Sequence, residues 1–332
     1  MSLFRSATNP RQPLTRQTVV ITGASSGIGR ATAIELARHG CKLVLAARQK
    51  EALEEVASVC DRLGAKAIIS VTDVTDPAAV KQLAKDACTF GKSIDAWINI
   101  AGIGAMGEFT TVPIEVHDQV IRTNLMGYLH GAYAVLPYFK KQKYGTLINV
   151  NSTGGWVAMP YAVSYDASKF GVRGYSEGLR AELGDCPDIH ICDVFPSFVD
   201  TPGPKHAGNY TGKVLKPMPP VLPTSKVAKA IAKLVEHPKD STILGSVTYL
   251  AKLGQAISPK FTRWMLLKMM QAYFKQAEPE PVTNGSIFQP TGEDNKIAGG
   301  YTSKVVTPSR VQLAGIAGAA ALGAYFIVRK FV

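Results

Sequence analysis

The feature that most constrains this chain is an alternation running from Thr18 to about residue 250. Short apolar runs at 18–22, 42–47, 67–71, 96–100, 146–150 and 189–195 take turns with amphipathic stretches of helical length at 30–39, 49–63, 77–90, 115–141 and 165–183. The runs are rich in Val and Ile and close on Gly, Asn, Asp or Ser. Most lack period-two alternation, as expected for strands covered on both faces. Repeated strand–helix units of this kind wind a parallel sheet with helices on both sides, so the expectation is a doubly wound α/β domain. The division expected is an N-terminal extension (1–13), a catalytic domain (14–250), an amphipathic helical extension (251–277), a linker (278–310) and a hydrophobic helix (311–328).

Immediately after the first run the chain reads Thr22-Gly23-Ala24-Ser25-Ser26-Gly27-Ile28-Gly29, and a helical pattern follows from about Arg30. Glycines in such a turn let backbone N–H groups approach a pyrophosphate, which also feels the positive end of the helix dipole. Gly23, Ser25, Ser26, Gly27, Ile28 and Gly29 are therefore candidate cofactor contacts. The second run ends Leu45-Ala46-Ala47-Arg48, without the carboxylate that an NAD-binding domain places there for the ribose 2′-hydroxyl. A guanidinium at Arg48 would instead make charge-assisted hydrogen bonds to a 2′-phosphate, so NADP(H) is the cofactor expected.

Farther along, Tyr165 and Lys169 stand four residues apart in a helical stretch, hence on one face. Reduction of a carbonyl leaves an alkoxide that needs a positioned acid. A free tyrosine titrates near 10, and a neighbouring ammonium is expected to lower that value. Ser152, at the end of the fifth run, can hydrogen-bond the substrate oxygen as charge develops.

The T-G-x-x-x-G-x-G turn, Ser152 and the Tyr165/Lys169 pair together resemble the short-chain dehydrogenase/reductase family, over residues 14–250. The resemblance implies a Rossmann-like fold and an NADP(H)-dependent exchange between a secondary alcohol and a ketone or aldehyde. It makes Tyr165 the acid/base, Lys169 its modulator and a ribose ligand, Ser152 the oxygen stabiliser and Asn124 the holder of a relay water. It also implies cofactor roles for Asp73 at the adenine, for Asn99, Ala101 and Gly102 in an Asn-x-Ala-Gly element, and for Pro196, Val199 and Thr201 near the nicotinamide. Ile100 and Ser197 depart from the usual Asn and Gly. A homodimer or homotetramer through the 115–141 and 165–183 helices is implied as well. A nucleotide-sugar epimerase or dehydratase fits the glycine spacing less well, and a non-catalytic, membrane-tethered NADP-binding module fits the intact Ser/Tyr/Lys set less well.

Residues 202–223, with six Pro and three Gly, read as a substrate lid, and their apolar members point to a lipophilic substrate. In the stretch 260–275, Lys260, Arg263, Lys268, Gln271 and Lys275 fall within about 140° on a helix and leave an apolar remainder. Such a helix is expected either in a membrane interface or over the substrate cleft. The run 311–328 contains only Gln312 as a strongly polar residue and is flanked by Arg310, Arg329 and Lys330, so it is expected to anchor a cytoplasmic catalytic domain to a membrane.

Composition excludes several other classes. At 46% hydrophobic and 19% charged, the 332 residues can build a large core and are not a disordered chain. Half of the net charge of +12 lies after residue 250, which is unlike a basic nucleic-acid-binding domain. The five cysteines are odd in number and contain no C-x-x-C pair, and the six histidines lack metal-ligand spacing. No apolar segment follows Arg5, Arg11 and Arg16, so no secretory leader is read at the N-terminus.

Overall fold

The computed structural model describes residues 13–291 and 295–302. Its chain order begins β1 (Thr18–Thr22), α1 (Gly27–Arg38), β2 (Lys42–Ala47), α2 (Lys50–Arg62), β3 (Lys66–Val71), α3 (Pro77–Gly91) and β4 (Ala96–Asn99). A two-residue strand β5 (Ala105–Met106), α4 (Ile114–Ile121), α5 (Gly127–Gln142), β6 (Gly145–Val150), α6 (Val163–Glu182) and β7 (Ile189–Pro196) follow. The last elements are α7 (Gly203–His206), β8 (Gly208–Asn209), α8 (Thr224–Glu236), β9 (Ser241–Leu244), α9 (Ser246–Ile257) and α10 (Pro259–Gln276). Seven strands form one sheet in the order β3-β2-β1-β4-β6-β7-β9, every neighbouring pair parallel. This is the Rossmann-like doubly wound arrangement expected.

Side chains alternate between the two faces of β1, and each face has its own core. Val19 and Ile21 pack with Leu36 of α1, Leu53 of α2 and Ile231 of α8. Val20 packs on the other side with Leu83 of α3, Val135 and Phe139 of α5 and Trp97 of β4. Every side chain of β1 is buried, which explains the absence of a polar alternation in its sequence. Each such Leu, Ile or Val contributes about 1.5–3 kcal/mol on burial. The carboxyl ends of the strands therefore form a rigid rim, and the crevice outside that rim is where a doubly wound sheet places a ligand.

Three segments depart from the sequence reading. The sequence of 242–250 reads as a last strand, yet β9 stops at Leu244 and a helix begins at Ser246. Leu244 pairs with Pro196, the last residue of β7, and Gly245 turns the chain at φ +99°. With its partner strand finished, the Val-Thr-Tyr sequence has no ladder to join. The 115–141 helix is interrupted by a π-turn at Arg122–Met126, between α4 and α5. The third departure, in the presumed linker, belongs to the site. Among the described residues no helix is long and apolar enough to cross a membrane. The 311–328 run lies outside the described residues.

Candidate active site

The β1–α1 turn shows why its glycines are required. A Cβ on Gly23, which sits at φ +70°, would stand 2.8 Å from the Ala101 backbone, and one on Gly29 would collide with the carbonyl of Gly23. The turn is thus drawn tight against the β4 loop, and α1 starts at Gly27, earlier than expected, so its first amides face the crevice. Ser25, Ser26, Gly27, Ile28, Gly29, Arg48, Asp73, Ala101 and Gly102 line one cavity of about 510 Å³ together with Ser152, Tyr165, Lys169, Pro196, Val199 and Thr201. A dinucleotide's phosphates fit this donor set: a side-chain-free cradle, a helix N-terminus and a guanidinium at the end of β2.

Opposite the cradle, Ser152 begins a short turn whose Gly154 amide donates to the serine oxygen at 3.2 Å. The Ser152 hydroxyl also lies near enough to the Tyr165 phenol to favour its ionised form. Tyr165 and Lys169 share one face of α6, and the Lys169 ammonium lies 5.7 Å from the Tyr165 ring centre and 4.9 Å from that of Tyr128. Lys169 donates to the Val150 carbonyl at 3.0 Å. Burial dominates the titration of both groups. It pushes the Tyr165 hydroxyl up, against the pull of Ser152 and with the help of Asp166, and it brings Lys169 down to about 7 despite Asp193. This corrects the expectation that the amine would make the phenol acidic. At positions so desolvated the uncharged form of each is favoured, and the phenol holds its proton at neutral pH.

Two expected site residues are placed beside the cleft and not on it. The fully buried Asn124 sits in the π-turn, where its Oδ1 accepts from the Ile103 amide and its Nδ2 donates to the Ile103 carbonyl, both at 2.8 Å. A further bond runs from Nδ2 to the Ser168 hydroxyl at 3.2 Å. Its side-chain amide is spent on shaping the 103 loop, so the amide itself does not reach a substrate. Asn99 accepts from the Trp97 indole and donates to Asn149 and to the Tyr128 carbonyl. Its side chain locks β4 to β6 and to α5, behind the cavity lined by Ala101 and Gly102. Asp73 lines the cavity while its carboxylate accepts from the Thr75 amide and hydroxyl.

Sequence reasoning missed the contribution of the stretch expected to be a linker. Asn209 of β8 pairs with Thr283 in an antiparallel bridge, and Ile287 is fully buried against Ala105, Val112, Val116 and Val120. Arg48 donates through Nη1 to the Phe288 carbonyl at 3.1 Å and through Nη2 to the Ser286 carbonyl at 2.8 Å. Farther on, the Gly27 amide donates to Lys296 O at 2.9 Å, and Asp200 accepts from Tyr301 and Thr302. The segment thus closes one side of the crevice. Hydrogen bonds to groups remote in the chain and one apolar anchor hold it, and neither gives a periodic signal that a sequence reading could find. The lid expected at 202–223 does border the cavity through Pro202, His206, Leu215 and Met218, and α10 joins it through Met270 and Tyr273. Tyr273 clamps the lid, donating to Val214 O at 2.7 Å and accepting from the Lys216 amide at 2.9 Å.

Residues 17–209 match the family profile described as short chain dehydrogenase. The chain belongs to that family. It is 33% identical over 271 residues to the uncharacterized oxidoreductase YxnA of Bacillus subtilis, covering 80% of this chain and 75% of that protein. Against 11-beta-hydroxysteroid dehydrogenase 1A of Arabidopsis thaliana it is 35% identical over 185 residues, 55% of this chain and 52% of that protein. Among solved structures, an alcohol dehydrogenase from the archaeon Thermococcus sibiricus complexed with 5-hydroxy-NADP superposes with a TM-score of 0.60 at 28% identity. That superposition covers 70% of this chain and 97% of the archaeal one. Membership in this oxidoreductase family and its nicotinamide cofactor therefore agree with the cradle and the Ser/Tyr/Lys group.

Proposed function

We propose that this short chain dehydrogenase is an NADP(H)-dependent enzyme that interconverts a lipophilic secondary alcohol and its carbonyl. The observation that carries the reading is the convergence of Ser152, Tyr165 and Lys169, the last two on one helix face, on the cavity that also contains the glycine cradle. When bound there, the nicotinamide supplies or takes the hydride. Tyr165 gives its proton to the substrate oxygen during reduction, and its raised affinity for that proton keeps it in the donor form at neutral pH. The Ser152 hydroxyl donates a second hydrogen bond to the same oxygen and stabilises the charge that develops there. Lys169, tied to Val150 O, fixes the reach of its amine beneath the phenol.

Arg48, with no carboxylate at the end of β2, supports NADP(H) over NAD(H), as does the 5-hydroxy-NADP of the archaeal relative. Met106, Met159, Leu215, Met218 and Met270 around the cavity support a lipophilic substrate. Self-association through α4, α5 and α6 is supported by the exposed Ile114, Tyr133 and Phe170 on those helices. Attachment by the 311–328 run belongs to the same reading; cell fractionation of the full chain and of a chain ending before Val311 tests it, equal solubility of the two counting against an anchor.

The test of the reaction is NADPH oxidation over a panel of steroid, retinoid, fatty-acyl and small xenobiotic carbonyls. Tyr165→Phe is expected to lower kcat by about 10²–10⁴-fold, the usual contribution of a general acid, while NADPH still quenches intrinsic fluorescence on titration. Turnover by the variant at the wild-type rate overturns the assignment.

A further inference from the structure

Helices α9 and α10 follow one another across a single residue, Ser258, and each turns only one side toward the protein. Leu266 and Met270 of α10 are buried, and Met270 and Tyr273 reach the cavity. The outward sides are apolar to an unusual degree. On α9, Tyr249, Leu250, Leu253 and Ile257 are each at least 40% exposed, at a spacing that gathers them on one face. On α10, Phe261, Trp264 and Leu267 are exposed and fall within an arc of about 120°. Ile257 and Phe261 flank the elbow, so the two faces meet there. A contiguous exposed patch of this kind marks an interaction surface.

The charge interleaved with it indicates the partner. Lys260, Lys268 and Lys275 share the outward arc of α10, and Lys252 and Arg263 are exposed beside it. Residues 241–277 contain five cations and no Asp or Glu. The outward arc of α10 is thus neither the apolar nor the polar half that a simple split of its sequence suggests; aromatic and cationic side chains alternate on it. A second copy of the chain would bring the same positive charges against these and would be repelled at close range. An anionic bilayer suits them: aromatic and aliphatic groups enter the headgroup and acyl boundary while lysines meet lipid phosphates and carboxylates. The inner sides of both helices are occupied by the protein, so they lie along such a surface and do not cross it.

We infer that the outward face of α9 and α10 docks on an anionic phospholipid surface. Docking there sets Met270 and Tyr273, one helix thickness behind that surface, as the wall through which a lipophilic molecule passes from the bilayer into the cleft. That route rests on the oxidoreductase reading; the docking does not, and its test uses no turnover.

The experiment uses the full chain with vesicles of phosphatidylcholine alone or with added phosphatidylserine, each carrying a lipid labelled by a doxyl quencher near the headgroup. Trp97 is fully buried and the Trp156 ring is covered by Arg173 and Lys252, so Trp264 is the reporter. The expected result is phosphatidylserine-dependent quenching that disappears in Trp264→Phe, even if the chain still sediments with vesicles through its terminal run. The triple variant Lys260→Glu, Lys268→Glu, Lys275→Glu should abolish it, each lost cation weakening surface attraction roughly fivefold. Quenching that persists in Trp264→Phe overturns the proposal. So does a blue-shifted Trp264 emission before vesicles are added, which would mean that another part of the chain or a second copy already covers the face.

Discussion

Arg48 has two tasks at one position. Its guanidinium holds the Ser286 and Phe288 carbonyls, and on our reading it also meets the 2′-phosphate of NADP(H). Arg48→Asp separates them. Loss of hydrogen bonds to a charged group, each about 1.5–3 kcal/mol, should cut kcat/KM for NADPH by roughly 10–100-fold or more, while kcat/KM for NADH holds or rises. A parallel fall with both cofactors would show that only the tethering of the 286–288 backbone matters. At this scale the sequence was highly informative about identity. Gly23, Gly29, Ser152, Tyr165 and Lys169 were named from spacing and from the resemblance, and the fold brings all five around one cavity. It was less informative about state. The spacing of Tyr165 and Lys169 places an amine near a phenol, but whether burial or the ion–phenol attraction wins depends on how much of the molecule lies over them, and here burial wins.

Elements that bury a repeating face were legible, and elements held by single contacts were not. The six runs read as strands appear in the sheet, since residues covered on both sides leave an unmistakable apolar record. Asn124 was named from the resemblance, but the π-turn that spends its amide on Ile103 was not visible, because one extra residue per turn leaves no mark in an eleven-residue pattern. The same holds for the segment around Ile287, whose apolar anchoring is a single side chain. Ile287→Asp would bury a carboxylate among Ala105, Val112, Val116 and Val120. With a cost of about 2 kcal/mol or more for the unpaired group, the segment should open roughly thirtyfold more often. Limited proteolysis is expected to cut 278–302 first in the variant, with the 17–209 region intact. Equal cleavage rates for wild type and variant would mean that the hydrogen bonds of Arg48, Gly27 and Asp200 suffice without the anchor.

Over the whole molecule, the sealed interior makes stability depend on pH. Asp166 is buried beneath the Ser152 turn, accepts from the Met159 amide at 2.6 Å and is raised by burial to about 8. Its folded pKa lies above the ordinary carboxylate value, so its contribution is full below about pH 4 and drains away as pH rises toward 8, at about 1.4 kcal/mol per unit. Asp193, raised to about 6 by burial against the pull of Arg180, adds a smaller decline that ends sooner. Asp166→Asn keeps an acceptor for Met159 and removes the ionisation. Its urea midpoint should gain on the wild type between pH 5 and pH 8, and a difference that stays constant over that range would refute the assignment. By itself the sequence determined the parallel sheet, the glycine turn and the chemical groups at the strand ends, because these follow from local periodicity and short spacing. Only the tertiary structure decided that 278–291 and 295–302 close the crevice, that Asn99 and Asn124 brace it from behind, and that α9 and α10 turn aromatic and cationic side chains outward. Each of those outcomes depends on contacts between residues far apart in the chain, and their free energy is set by what the folded surface leaves uncovered.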